Sequence, residues 1–355
     1  MDSARDPGHK LRHLEACLAQ DVEYRKPTGF ADYEFENEAL PETALASIDL
    51  SAAIAGKPLR APLMIAPMTG GTPRGHEINR RLASVAEEFG LAFGVGSQRI
   101  ALERAECAAF FGVRDVAPTV PLFANFGAAQ LVQGDGIDFA RRAVAMIGAD
   151  ALFVHLNAVQ EAVKSGDRDF RSVAQALKRL CRALAADGIP VFAREVCFGM
   201  TSATAARLVE CGVAGIDCAG AGGTSWAKVE ARCATNERTR ILGERLGEWG
   251  IPTSQSILNV RRAAPTLPLI ASGGLRGGLD LATALALGAD LGAMARPFLL
   301  RAVEGEAQLR QFVAEVLEEL RICMFATGTA AIAGLRGKAV RRGAAGPGAD
   351  TGARS

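Results

Sequence analysis

The sequence predicts an α/β protein folded as a (β/α)8 TIM barrel, with an N-terminal helical extension and a C-terminal amphipathic helix. Three observations predict it. Eight short apolar runs with strand character start near Pro62, Ala92, Pro121, Ala151, Pro190, Gly215, Pro268 and Leu291. Helical patterns fill the gaps, and β and α segments alternating at roughly 30-residue intervals make a parallel sheet that eight units can close. Most of the runs end in small or polar residues, as strands do at the C-terminal rim of such a barrel. An open doubly wound sheet is the main competitor, but its first strand should run into G-x-G-x-x-G; here it runs into Met68-Thr69-Gly70-Gly71.

Taken in order, residues 1–8 are polar and are expected to be disordered. Lys10 to Val22 reads as a helix with Leu11, Leu14 and Leu18 on one face. Glu23 to Pro41 is an aromatic, charged connection, expected to lie as an ordered extension over one end of the barrel. One domain over 9–342 is expected, including the extension 9–61. Between the strands, Ile78, Leu82, Val85 and Phe89 share a helix face, as do Val173, Leu177, Leu180 and Leu184. The gap from about Ala221 to Leu267 is longer than the others and suits a lid or active-site excursion. Leu309, Phe312, Val313, Val316, Leu317 and Leu320 mark the final amphipathic helix, which should pack outside the barrel. The tail, 343–355, is low in complexity and expected to be disordered.

Composition narrows the function classes. With 40 basic and 39 acidic residues the net charge is +1 and there is no polybasic block, so neither nucleic acid nor an acidic membrane is the expected partner. The eight cysteines form no C-x-x-C pair, which fits buried thiols in a reducing compartment rather than a zinc site. The opening residues do not read as a signal peptide, and no apolar run reaches membrane-spanning length. A soluble, cytoplasmic protein is expected.

Chemistry concentrates at the strand ends. The fourth strand leads into His155, Asn157, Gln160 and Glu161. His can donate or accept a proton, amides orient a ligand, and Glu can hold a hard cation or move a proton. A plain helix start, where Gln160 and Glu161 merely suit the dipole, explains the same residues equally well in isolation. After the seventh strand, Ser272-Gly273-Gly274-Leu275-Arg276 has the glycines and the cation of a phosphate loop. Gly292 and Ala293 in the eighth strand leave room beside it, and Thr224 after the sixth offers a hydroxyl. Lys10 and Arg99 are candidates for a second anion site. Two anion sites on one rim suggest a phosphate-bearing cofactor with a phosphate-bearing substrate.

The segments HLEACL, TGF, ALPE, APMTGG, GVGSQR, HLNAVQE, DCAGAGGTSW and ASGGLRGGLDLATALALGAD, in this order, strongly resemble the type 2 isopentenyl-diphosphate Δ-isomerases from about Lys10 to Pro297. The resemblance implies an FMN-dependent barrel that interconverts isopentenyl and dimethylallyl diphosphate. It implies reduced FMN, Mg2+, NADPH or another reductant for the flavin, and a homo-oligomer (tetramer or octamer). By the same resemblance Pro67, Met68 and Thr69 lie beside the flavin ring, Ser97 and Asn125 hydrogen-bond it, and Thr224, Gly273, Gly274, Arg276, Gly292 and Ala293 surround its phosphate. Ser97, Gln98, Arg99 and His155 then face the substrate diphosphate, with Gln160 at the alkene, Glu161 on the metal, and His155 and Asn157 among the catalytic groups. Two positions depart from the family. His9-Lys10 stands where Arg-Lys is usual, giving a diphosphate ligand only partly charged at neutral pH. Arg194 stands where a lysine is usual beside the flavin, keeping the charge with a different reach.

Two other readings compete. A different FMN-dependent barrel oxidoreductase, such as a 2-hydroxy-acid oxidase, needs a His/Arg pair near the seventh strand, and SGGLRGG has no His. A purine-nucleotide dehydrogenase needs a cysteine where Thr224-Ser225 stand. A flavin-binding paralogue with lost activity is the non-enzymatic reading, and intact His155, Asn157, Gln160 and Glu161 argue against it.

Overall fold

A computed structural model describes residues 7–18, 20–164 and 166–342. Eight parallel strands form a closed barrel: β4 (Leu63–Ile65), β5 (Ala92–Gly94), β6 (Leu122–Gly127), β7 (Ala151–Leu156), β8 (Val191–Glu195), β9 (Gly215–Asp217), β10 (Leu269–Ala271) and β11 (Leu291–Met294). They coincide with the eight runs read from the sequence. Side chains alternate along each strand, so one set fills the interior while the other meets the helices. Phe123, Phe153 and Phe192 fill the interior, the first two stacked with centroids 4.6 Å apart. The hairpin β2 (Ala52–Ile54) to β3 (Lys57–Leu59) adds Ile54 and Leu59 to the same cluster, plugging the N-terminal mouth. Its two-residue turn, Ala55 at φ 51° and Gly56 at φ 76°, has the positive φ pair that suits tight hairpins. With one mouth plugged, ligand access is left to the C-terminal rim.

The helices follow the predicted faces. In α2 (Pro73–Phe89), Thr72 caps the start through the Gly75 amide, and Ile78, Leu82 and Val85 are buried. In α6 (Val173–Ala186), Val173, Leu177, Leu180 and Leu184 are buried. The last helix, α13 (Glu306–Ala326), packs on the outer layer through buried Leu309, Val313, Val316 and Leu320. Phe312 and Leu317 are partly buried against the same core.

The first helix differs from expectation. α1 spans Pro7–Leu18, with a separate 3-10 turn at Gln20–Val22, so residues 7 and 8, expected to be disordered, are helical. A proline suits a helix start because its missing N–H is not needed there. Leu11, expected to face inward, is exposed at 36%, and the buried stripe instead carries His9, Leu14 and Cys17. Apolar periodicity misplaced this face because polar side chains line it. The disordered stretches expected at 1–6 and 343–355 lie outside the described residues.

The extension runs over the rim, as read. The Tyr24 amide donates to the Gly223 carbonyl at 2.8 Å, and the Ser254 amide donates to that of Thr28 at 2.9 Å. Its β1 (Tyr33–Phe35) pairs antiparallel with β12 (Ala339–Arg341), a tie between the two ends of the described chain that no local pattern announces. The long gap after β9 holds α8 (Trp226–Arg232) and α9 (Glu237–Arg245) before α10 (Thr253–Ala263). The chain leaves and rejoins the rim where Ala221 bridges Pro252, so α8 and α9 form the excursion. Among the described residues no helix is long and apolar enough to cross a membrane.

Candidate active site

Two cavities open at the C-terminal rim, one larger than the other. Pro67, Met68, Arg194, Val196 and Trp226 line both, so the cavities meet along a shared wall. The Thr69 carbonyl takes hydrogen bonds from the Gly96 amide (2.8 Å) and from Asn79 Nδ2 (3.0 Å), which pins the loop carrying Pro67 and Met68.

The smaller cavity is made by loops that only glycine allows to meet. Gly273 (φ 98°) and Gly274 (φ 89°) have left-handed backbones, and side chains there would strike the backbone of Gly220 and Gly222. Thr224, Gly273, Gly274, Arg276, Ala293 and Arg296 line this cavity, along with the start of α12 (Arg296–Glu304), a helix N-terminus suited to an anion. Arg296 donates to Glu23 at 3.0 Å and to the Cys17 carbonyl at 2.7 Å, and Arg276 reaches the other Glu23 oxygen at 3.5 Å.

The larger cavity gathers the residues after β7. Asn157, at the start of α5 (Ala158–Lys164), donates to Gln160 Oε1 (3.1 Å) and Glu161 Oε1 (2.9 Å). Glu161 also accepts from Lys164 Nζ (2.7 Å) and the Asp167 amide (2.9 Å). Gln160 Nε2 donates to Glu230 Oε1 of α8 at 2.6 Å. Asn125 gives its Nδ2 to the Val95 carbonyl, so its Oδ1 faces His155 Nδ1 at 2.9 Å. The proton of neutral His155 therefore sits on Nδ1, leaving Nε2 as an acceptor.

Charge on this wall is mostly positive. Burial, then Lys10, Lys164, Arg194 and Arg99, push His155 down to about 3. Lys10 falls to about 8 from burial and the repulsion of Lys164 and Arg99, while its Nζ donates to the Ser97 carbonyl at 2.9 Å. Arg99 is held by Glu103 (2.9 Å) and Asp167 (2.6 Å). For Glu230, burial alone would raise the carboxyl, but His13, Lys164 and His9 outweigh it and hold it at about 2. A crowd of cations that disfavour one another's charge is a site that an anion relieves.

Comparison with known proteins agrees with this geometry. The family model described as FMN-dependent dehydrogenase matches residues 143–342. Relatives called isopentenyl-diphosphate delta-isomerase include one from Nostoc sp., 47% identical over 93% of this chain and 94% of its own, and one from Stutzerimonas stutzeri, 51% identical over 87% and 89%. The chain belongs to the isopentenyl-diphosphate delta-isomerase family. Among solved structures, a lactate oxidase from Pediococcus acidilactici (TM-score 0.61, 20% identity, covering 93% of this chain and 89% of that one) and a flavocytochrome b2 mutant with benzoylformate (0.62, 16%, covering 92% and 78%) share the barrel fold.

Most residues assigned by resemblance to this isomerase family meet at the two cavities. His9, Lys10, Thr69, Ser97, Arg99, Asn125, His155, Asn157, Gln160 and Glu161 line the larger one. Two do not. Gln98, read as facing diphosphate, is 0% exposed and turned outward: its Oε1 accepts from the Asn125 amide (2.8 Å) and its Nε2 donates to the Ala143 carbonyl (2.8 Å). Gly292 lines neither cavity; a side chain there would meet Leu281 and Leu275, so its smallness lets α11 (Gly278–Ala286) pack on β11.

Two charge expectations change as well. His9, read as partly charged at neutral pH, is 6% exposed and pushed down to about 4 by burial and by His13. Arg194 turns its guanidinium inside the barrel, donating to buried Asp217, whose Oδ1 accepts from Ser272 Oγ at 2.5 Å. Its guanidinium also lies 5.5 Å over the Phe153 ring.

The sequence reading assigned no role to His13, Lys164, Asp217, Glu230 or Arg296. Lys164 lies three residues after Glu161 on one helix face, and His13 four residues after His9, both spacings that could have raised them. Glu230 is brought in only by the excursion after β9, which no local pattern positions. All eight cysteines are free thiols, as read; burial pushes Cys17, Cys181 and Cys218 up to about 12.

Proposed function

We propose that the protein interconverts isopentenyl and dimethylallyl diphosphate by a redox-neutral 1,3-allylic proton shift, with FMN across the two joined cavities. The observation that carries this reading is the shared wall of Pro67, Met68, Arg194, Val196 and Trp226 between them. On one side lie glycine loops, Arg276, Arg296 and a helix start fit for a phosphate. On the other lies a cationic wall beside the Gln160–Glu230 pair. FMN bound there supplies a ring able to take and return a proton or an electron within one turnover.

This chain's residues do the rest. Lys10, Arg99 and Lys164 attract the diphosphate, and its charge raises the pKa of His155, so that Nε2 gains a proton and becomes a donor to it. Gln160 positions the alkene end, and its bond to the ionised Glu230 offers a path along which the side chains can hold and pass a proton. Trp226 closes the cavity against water. Mg2+ fits the Glu161 carboxylate, whose oxygens Asn157 and the Asp167 amide orient and which Lys164 now neutralises; diphosphate oxygens and water would be its remaining ligands. NADPH or another reductant prepares the flavin, and the enzyme works as a cytoplasmic homo-oligomer, a tetramer or octamer.

The 2-hydroxy-acid oxidase reading fits the site less well. Abstracting a proton from such an acid needs a base beside the flavin, and β10 is followed by Ser272, Gly273, Gly274, Leu275 and Arg276, without histidine. The deciding experiment offers the FMN-loaded protein isopentenyl diphosphate with Mg2+ and reductant, and in parallel lactate or mandelate with oxygen. Dimethylallyl diphosphate detected by proton NMR supports the isomerase. Oxidation of the hydroxy acids with no allylic product would hand the site to the oxidase.

A further inference from the structure

We propose that His9, His13 and Glu230 form a binding site for a transition-metal ion of the zinc class, distinct from the hard-cation position at Glu161. The first support is in the sequence of α1: two histidines four residues apart stand on one helix face, a spacing that lets both imidazoles reach one ion. In the fold their rings lie with centroids 4.0 Å apart, and α8 brings Glu230 across to them. His13 Nε2 is 3.2 Å from Glu230 Oε1, and His9 Nε2 is 3.9 Å from Oε2. One donor atom from each residue can be chosen so that all lie within 4.8 Å of one another. Tetrahedral zinc, with bonds of about 2.0–2.2 Å, spaces its ligand atoms roughly 3.4 Å apart. Small side-chain movements reach that geometry.

The second support is independent of spacing. Both ring nitrogens of His9 are buried without a hydrogen-bond partner, and His9 is only 6% exposed. Unpaired buried polar atoms are costly, and a metal ion would satisfy one nitrogen on each ring. Two imidazoles and one carboxylate favour borderline ions such as Zn2+ or Co2+ over Mg2+, which prefers oxygen ligands. The outer sphere is also present. Gln160 donates to Glu230 at 2.6 Å, orienting the carboxylate as partners of metal ligands do, and the Trp226 ring packs edge-on 5.4 Å from His13. His9 and His13 both line the larger cavity, so the ion's open position faces the cavity interior.

The site does not depend on the isomerase reading and is tested without turnover. FMN-loaded protein, stripped with a chelator, is titrated with Co2+ and read by its ligand-field absorption to the red of the flavin bands. Zn2+ affinity is then measured by competition with a chromophoric chelator. One ion per chain is expected. His9→Arg adds a cation and removes a ligand, and should weaken binding by more than the roughly 10–100-fold that loss of an outer-sphere partner costs; His13→Gln, which adds no charge, should do the same. Glu161→Gln should retain the ion. Unchanged FMN content and far-ultraviolet circular dichroism show that each variant is folded. Equal binding by wild type and His9→Arg, or loss in Glu161→Gln alone, would overturn the assignment.

Discussion

Replacing His155 by Gln should make the protein less sensitive to acid, by an amount that follows from where the ring sits. His155 is buried, faces Lys10, Lys164, Arg194 and Arg99, and has its pKa lowered from 6.5 to about 3. Below pH 6.5 the unfolded chain binds a proton that the folded chain refuses, so this residue makes stability fall as pH drops from 6.5 toward 3. Above 6.5 neither state is protonated and the contribution vanishes. At pH 5 the difference is RT ln(1 + 10^1.5), about 2 kcal/mol. That figure hardly changes for any folded value of about 4 or less, so it does not hang on the exact pKa. The assay is urea unfolding of FMN-loaded, substrate-free wild type and His155→Gln at about pH 7.5 and about pH 5. Wild type should lose about 2 kcal/mol more than the variant between the two conditions. Equal losses would mean that His155 takes up its proton in the folded protein and that the cationic wall does not act on it as described.

Three further outcomes follow from the same contacts. Glu161→Gln should keep FMN bound yet lower isomerisation by on the order of 10²–10³-fold, the scale of losing one charge-stabilising group; full activity at limiting Mg2+ would remove Glu161 from the metal. Gln160→Ala should lower kcat more than it raises KM, since the contact proposed for it with the alkene would matter most in the transition state, and a pure KM effect would make it a binding residue. Gln98→Leu should cost about 1–3 kcal/mol of stability, because it leaves the buried Asn125 amide unpaired. Its KM for diphosphate should not move once the variant is folded, whereas a large rise in KM would restore the binding role read from the sequence.

The barrel was legible because strand and helix periodicities are local and repeat eight times. Positions at the rim were legible where a motif sits at a strand end, as with His155 and Gly273, which line the two cavities. What pattern could not tell was direction. Gln98 belongs to the same polar motif as Ser97 and Arg99, yet the chain turns its side chain toward Ala143 while its neighbours face the cavity. Gly292 looked like room for a ligand and proved to be room for Leu281. The face of α1 was misread because His9 is buried on it while apolar Leu11 is exposed. Glu230 and Asp217 were missed for a different reason: each matters through a partner distant in sequence, His9 and His13 for one and Arg194 for the other.

The most direct measurement counts turnovers per flavin without oxygen. FMN on the protein is reduced by dithionite, the excess is removed, and isopentenyl diphosphate and Mg2+ are added while the flavin spectrum is followed. Dimethylallyl diphosphate should accumulate over many turnovers with the spectrum unchanged and no NAD(P)H consumed, because the proposed allylic proton shift returns the flavin to its starting state in each turnover. Product that stops at one equivalent per flavin, or that forms only as reductant disappears, would contradict the redox-neutral isomerisation.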